Sequence, residues 1–182
     1  TCSIFSGESY CWGLDSVGLL GNGSALTVDQ TSPSSIDMFN LDSEKFAYLS
    51  TSLTYSCGLT TSGKAFCWGG GTFGNLGNAD TADIDRPDEV NTLTLLGGET
   101  TFIAISVPSA GLGSHACAIT TNGVPYCWGS DANGQLGNGA ITGQQSSPYP
   151  VNTADIAGAK TFKEISVGVG HTCGITTDSK WV

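Results

Sequence analysis

Apolar positions alternate with polar or small ones in three five-residue stretches, FAYLS at 46–50, FIAIS at 102–106 and FKEIS at 162–166. That is the period of a strand with one face buried. A second pattern follows the first two stretches: CGLTTSGKAFCWG at 57–69 and CAITTNGVPYCWG at 117–129. Short segments rich in Thr, Leu, Ala and Phe flank Ser62-Gly63, which predicts two strands folded back through a glycine-containing turn. With Thr60 opposite Lys64 across a three-residue loop, Leu59 faces Ala65, Gly58 faces Phe66 and Cys57 faces Cys67. A shorter version, CSIFSGESYCWG at 2–13, turns through Ser6-Gly7 and again sets Cys2 opposite Cys11, while CGITTDSKWV at 173–182 begins a fourth.

Cysteines placed directly across an antiparallel ladder are close enough to bond. The seven cysteines therefore read as three hairpin disulfides, Cys2 with Cys11, Cys57 with Cys67 and Cys117 with Cys127, leaving Cys173. Extending the ten-residue spacing puts the partner of Cys173 at position 183, so the expectation is that the natural chain continues and supplies it. The rival reading is zinc, but structural zinc sites favour cysteine knuckles of much closer spacing. Disulfides belong to oxidising compartments, which points to an extracellular or cell-surface protein of the secretory pathway.

The pattern repeats along the chain. Trp12, Trp68 and Trp128 are 56 and 60 residues apart, and Phe46, Phe102 and Phe162 each follow their Trp by 34. From Phe to the next cysteine the gaps are 11, 15 and 11, which places a variable loop in SVPSAGLGSHAC. After each CWG comes GLLGN, GNLGN or GQLGN, where paired glycines suit a tight turn and the Leu between them plugs inward. A Pro-bearing loop, TSPSS, DRPDE or SSPYP, closes the unit. Four short strands per repeated unit predict an all-β fold of propeller blades with antiparallel strands. The units are 1–56, truncated at its start, 57–116 and 117–172, with 173–182 opening a further truncated one: a partial propeller.

VGVGHTCGITTDSK together with YCWGSDANGQLGNG resembles the regulator of chromosome condensation repeat, and the resemblance covers essentially the whole chain. Leu19-Leu20 stands where the family has Gln-Leu, and TSLTYSC where it has Gly-Gly-x-His before the cysteine. The resemblance implies blades of about 50 residues in a ring of seven. Three units and a fragment do not close such a ring. The hairpin cysteines mark this sequence as a disulfide-containing, extracellular type.

Composition narrows the partners. With 26 Gly and only 12% charged residues the chain suits short strands and turns. A net charge of -10 with six dispersed basic residues opposes binding to nucleic acid or anionic membranes. No apolar run approaches the roughly 20 residues of a membrane helix, so no membrane insertion by this segment is expected.

Individual residues invite sharper readings. His115 and His171 each stand two residues before a cysteine, but Tyr55 holds the same place in the other unit, so a structural role outweighs catalysis or metal ligation. Trp12, Trp68 and Trp128 read as packing between blades in preference to a sugar-stacking surface. Trp181 aligns with Ala65 and Pro125, outside that set. NADTADIDRPDE at 78–89 is acidic but lacks calcium-loop spacing and reads as a solvated loop. Asn22-Gly23-Ser24 is an N-glycosylation sequon, so Asn22 is the candidate glycan site. No catalytic arrangement, metal site or cofactor motif stands out. The leading expectation is a non-catalytic structural or scaffold module within a larger secreted, cell-surface or filament-forming protein, whose partners are other domains or chains of an extracellular assembly. Protein or glycan recognition is the alternative. Guanine nucleotide exchange on a small GTPase, implied by the resemblance alone, is a remote third.

Overall fold

The computed structural model describes residues 1–24, 28–109, 114–158 and 160–179. Its strands form four antiparallel sheets in sequence order. The first holds β1 (Cys2–Phe5), β2 (Glu8–Gly13) and β3 (Gln30–Ser35), side by side in that order. The second holds β4 (Phe46–Thr51), β5 (Tyr55–Thr60), β6 (Ala65–Gly69) and β7 (Ile84–Glu89). The third repeats it with β8 (Phe102–Ser106), β9 (His115–Thr120), β10 (Pro125–Asp131) and β11 (Gly143–Pro150). The fourth is a pair, β12 (Phe162–Val167) and β13 (Thr172–Thr176). These are four-stranded propeller blades, with the first sheet lacking its leading strand and the last showing its first two. The second, third and fourth sheets begin at the Phe strand, one strand before the cysteine from which the sequence units are counted.

The hairpin register follows from the turns. Ser6 and Gly7 both have positive φ, 52° and 79°, the mirror-image turn that matches strand twist, and it fixes Cys2 opposite Cys11. In the second sheet Cys57 pairs with Cys67, Gly58 with Phe66 and Leu59 with Ala65, and the Thr60 amide closes the loop on the Lys64 carbonyl at 2.9 Å. Three disulfides result, each with Cα atoms 4.1 Å apart.

Each CWG marks a bulge. The ladder to the outer strand slips between Cys11 and Gly13, Cys67 and Gly69, and Cys127 and Gly129. The glycine takes φ near 100°, and at Gly129 a Cβ would lie 2.3 Å from the Ser114 carbonyl oxygen, so no side chain fits.

The Pro-bearing segments, expected as loops, are the outer strands β3, β7 and β11. Their polar, non-alternating sequences hide them, and Pro33, Pro87 and Pro148 are tolerated because an edge strand has a side that need not donate to a ladder. The acidic stretch 78–89 is corrected with them: its second half is β7. Trp181, and the centre of the variable loop at 110–113, lie outside the described residues.

Sheets stack face to face, the second strand of one blade against the first of the next: β1 on β4, β5 on β8, β9 on β12. Hence β5 and β9 are buried along their whole length. One core fills the space between the second and third sheets around Tyr55, Leu76, Phe102, Ile105 and Trp128. Another lies between the first and second around Leu20, Leu41, Phe46, Phe66 and Trp68. The core against β12 and β13 is smaller, built on Leu136 and Val167.

Candidate interaction site at the last blade

The first two blade boundaries are closed in the same way by a tryptophan. Trp68 leaves β6 and reaches back to the first blade's GLLGN turn, where its indole Nε1 donates to the Leu19 carbonyl at 3.1 Å. Its ring lies on Gly21, whose Cβ would sit 2.6 Å from the indole nitrogen, and its centroid is 5.5 Å from that of Phe46. Trp128 repeats this on the GNLGN turn, donating to Asn75 O at 3.0 Å over Gly77. The leucines between the glycines, Leu20, Leu76 and Leu136, are buried beneath. Trp68 and Trp128 are fully buried and offer no sugar-stacking face, whereas Trp12 is half-buried.

The third turn, GQLGN at 134–138, has no such indole among the described residues. Only Val151 Cγ1, at 3.4 Å, approaches the Cβ position of Gly137, and the Gln135 carbonyl accepts from the Thr172 hydroxyl at 2.9 Å. A cavity of about 460 Å³ opens there, walled by Cys127, Leu136, Val151, Ile156, Phe162 and Ile165. Beside it run Thr172, exposed Cys173 and Gly174 of β13, whose outer edge pairs with no strand among the described residues.

The histidines serve the blade boundaries. Tyr55 donates its hydroxyl to the His115 carbonyl at 2.6 Å, linking the second blade to the third. One step on, His115 is fully buried and its Nε2 lies 3.0 Å from the Thr172 hydroxyl. Burial, with the nearby His171 adding to it against the opposing pull of Asp131, lowers its pKa to about 4, so the ring is neutral at physiological pH. His115 Nδ1 finds no hydrogen-bond partner among the described residues. His171 is exposed and wraps the backbone of Gly168.

Carboxylates brace turns. Burial raises the pKa of Asp131, but hydrogen bonds from the Thr142 amide and hydroxyl, the Leu136 amide and Asn138 outweigh it and hold the group ionised. Within the acidic stretch Asp83 accepts from the Gly71 amide and Asp88 from the Asn78 side chain. No cluster of three or more metal-ligating side chains forms among the described residues. Asn22, the glycosylation candidate, is half-buried and its Oδ1 caps the Ser24 amide at 3.0 Å.

What the sequence reasoning missed is the cavity and the links across blade boundaries. The signal for the indole links was present as the recurrence of a CWG tryptophan and a glycine turn in each unit.

Residues 122–175 match the Regulator of chromosome condensation (RCC1) repeat. The chain is 28% identical over 179 residues to the Ultraviolet-B receptor UVR8 of Arabidopsis thaliana, covering 97% of this chain and 37% of that protein. It is 33% identical over 147 residues to the probable E3 ubiquitin-protein ligase HERC3 of Homo sapiens, covering 80% of this chain and 13% of that protein. Among solved structures, human WBSCR16 superposes with a TM-score of 0.79 at 17% identity, over 97% of this chain and 43% of its own. Prp20p from Saccharomyces cerevisiae superposes with 0.76 at 16% identity, over 94% and 40%. These structural likenesses carry the fold, a β-propeller, and the chain spans less than half the length of each of these relatives.

Proposed function

We propose that this chain, which carries regulator of chromosome condensation repeats, is a non-catalytic extracellular module: disulfide-stapled blades that act as scaffold and contact surface within a larger secreted, cell-surface or filament-forming protein. The observation that carries this reading is the disulfide at the same register of all three CWG hairpins, with Cys57, Cys67, Cys117 and Cys127 fully buried. Such bridges form and persist in oxidising compartments. By loop entropy each contributes about 2 to 3 kcal/mol, a useful share for a domain of ordinary stability.

Contacts to other domains or chains of the assembly fall to the connections that leave the outer strands. There Phe39 is 80% exposed, Leu93 94% and Leu96 64%, on topologically equivalent segments after β3 and β7. Apolar side chains held on a rigid frame suit a protein partner. The same residues favour the second reading, recognition of a separate protein. The ligase activity named for HERC3 belongs to a protein of which this chain spans 13% and is not carried over.

Non-reducing peptide mass spectrometry on the native protein tests the reading. Bridges Cys2–Cys11, Cys57–Cys67 and Cys117–Cys127, with a sugar on Asn22 in a eukaryotic host, are the expected map. Free thiols at all six positions in the native protein would remove the oxidising compartment and, with it, the extracellular role.

A further inference from the structure

The two ends of the blades differ in charge. At one end lie the connections 36–45, 61–64, 90–101, 121–124 and 151–161, where Lys45 pairs with Glu8 at 2.6 Å and Lys64 reaches Glu89 at 4.0 Å. At the other end the connections 14–29, 52–54, 70–83, 107–114, 132–142 and 168–171 contain no Lys or Arg. Asp29, Asp80 and Asp83 are exposed on them and enter no ion pair among the described residues.

At this end the first two blades depart from the third at two positions. Five residues past the CWG tryptophan, on the turn that leaves the third strand, stand Val17, Phe73 and Asn133. One residue before the outer-strand partner of the bulge glycine stand Asp29, Asp83 and Gln144. Asp29 and Asp83 do the same local work, accepting from the amides of Asp15 and Gly71 at 3.0 and 2.9 Å. A neutral amide oxygen accepts such a bond as well, so the brace does not require the negative charge. Phe73 is 47% exposed, yet its turn is fixed: buried Asn75 accepts from the Phe73 amide at 3.3 Å and donates to the Gly70 carbonyl at 2.7 Å. Val17, Thr54, Phe73 and Asp83 wall a cavity of about 260 Å³ where the first three blades meet, and Val17 and Asp83 also wall a second, of about 490 Å³, that extends to Asp85.

We propose that this groove is a docking site for a loop of a partner protein that presents an arginine between apolar residues. The guanidinium meets the Asp83 carboxylate and lies on the Phe73 ring, while its methylenes cover Val17. The apolar neighbours of the arginine cover Leu53, which is 55% exposed beside Thr54. Arginine fits better than lysine because its planar, weakly hydrated head stacks on an aromatic face and bonds a carboxylate at once. An end of the molecule with carboxylates and no cation of its own is complementary to such a loop and repels an acidic one. The site rests on the reading of this chain as a contact surface but not on its compartment, so the disulfide map and the titration below fail separately.

The probe is the peptide acetyl-Gly-Leu-Arg-Leu-Gly-amide, titrated into the isotope-labelled chain with its disulfides intact and read from the backbone amide resonances. Saturable shifts centred on Val17, Thr54, Gly70 and Phe73 are the expected result. Binding should weaken at least about fivefold when citrulline, the neutral isostere, or lysine replaces the arginine. Asp83→Asn keeps an oxygen for the Gly71 amide and Phe73→Asn installs the third blade's residue, so both variants should give the parent's pattern of resonances and bind at least about fivefold more weakly. Equal binding of the arginine and citrulline peptides, unchanged binding by Asp83→Asn, or shifts centred on Phe39 and Leu93 at the opposite end overturn the site. So does the lack of any saturable shift up to about 5 mM peptide, an affinity that even a weak docking contact exceeds. A lysine peptide that binds as tightly as the arginine one overturns the choice of arginine.

Discussion

The indole N–H of Trp128 donates to the backbone carbonyl of Asn75 at 3.0 Å, across the boundary between the third and second blades. Because the acceptor is main chain, the contact is indifferent to the side chain that carries it, and Leu19 plays the same part for Trp68. Replacing Trp128 by Phe keeps most of the ring but strands a buried carbonyl, at a cost of about 1 to 3 kcal/mol. Replacing it by Ala opens a cavity and costs about 3 to 5 kcal/mol. Trp12, half-buried where Trp128 is fully buried, should lose clearly less on the same change. Urea denaturation of the three variants gives the ranking.

Gly77 and Gly137 have nearly the same backbone, φ 72° and 62°, but different neighbours. A methyl group on Gly77 would press on the Trp128 indole at 2.6 Å, so Gly77→Ala pays both for the left-handed backbone and for overpacking, about 2 to 4 kcal/mol in all. On Gly137 the methyl meets, among the described residues, Val151 alone at 3.4 Å, and the backbone costs about 1 kcal/mol. The difference between the two variants in thermal or urea unfolding measures how full each turn is.

His115 makes folding sensitive to mild acid. Its folded pKa, about 4, lies below the ordinary value of 6.5, so the unfolded chain binds the proton first as pH falls. The stabilisation is complete above pH 6.5 and is lost progressively as pH falls toward 4. Linkage puts the total at roughly 3 kcal/mol. Unfolding free energies at pH 7 and pH 5 should differ measurably in the parent chain, and His115→Gln should flatten that difference while the loss in stronger acid, from carboxylates such as Asp131 that hydrogen bonds hold below their ordinary range, remains.

Turn chemistry made the hairpins legible. Ser6-Gly7 and Ser62-Gly63 fix the loop lengths, loop length fixes register, and register places each pair of cysteines. The inward Leu of each glycine turn was equally plain, since an apolar residue held in a tight turn between two glycines is driven to the core. The outer strands were not legible: QTSPSS and IDRPDE show no alternation, because an edge strand half open to water needs none. Nor were the boundary links. Tyr55 to His115 joins residues 60 positions apart through a main-chain oxygen, and no residue type in the sequence records that acceptor.

The disulfides should open in an order set by access. Cys173 is an exposed thiol and should be alkylated at once. Cys2 is half-buried in the three-stranded first sheet, whereas Cys57, Cys67, Cys117 and Cys127 are all fully buried. Thiol–disulfide exchange requires a thiolate to reach a sulfur, so the inner bridges open only when a blade does. In the folded chain under mild reductant, mass-resolved alkylation should show Cys173 first, then Cys2 with Cys11, and the four inner cysteines only at denaturant concentrations that begin to unfold the sheets. Once reduced, the loss of a ten-residue loop constraint should lower stability by about 2 to 3 kcal/mol per bridge. Simultaneous reduction of all three bridges without denaturant would mean that the blades open independently of one another, and that the stacked cores around Trp68 and Trp128 do not hold them shut.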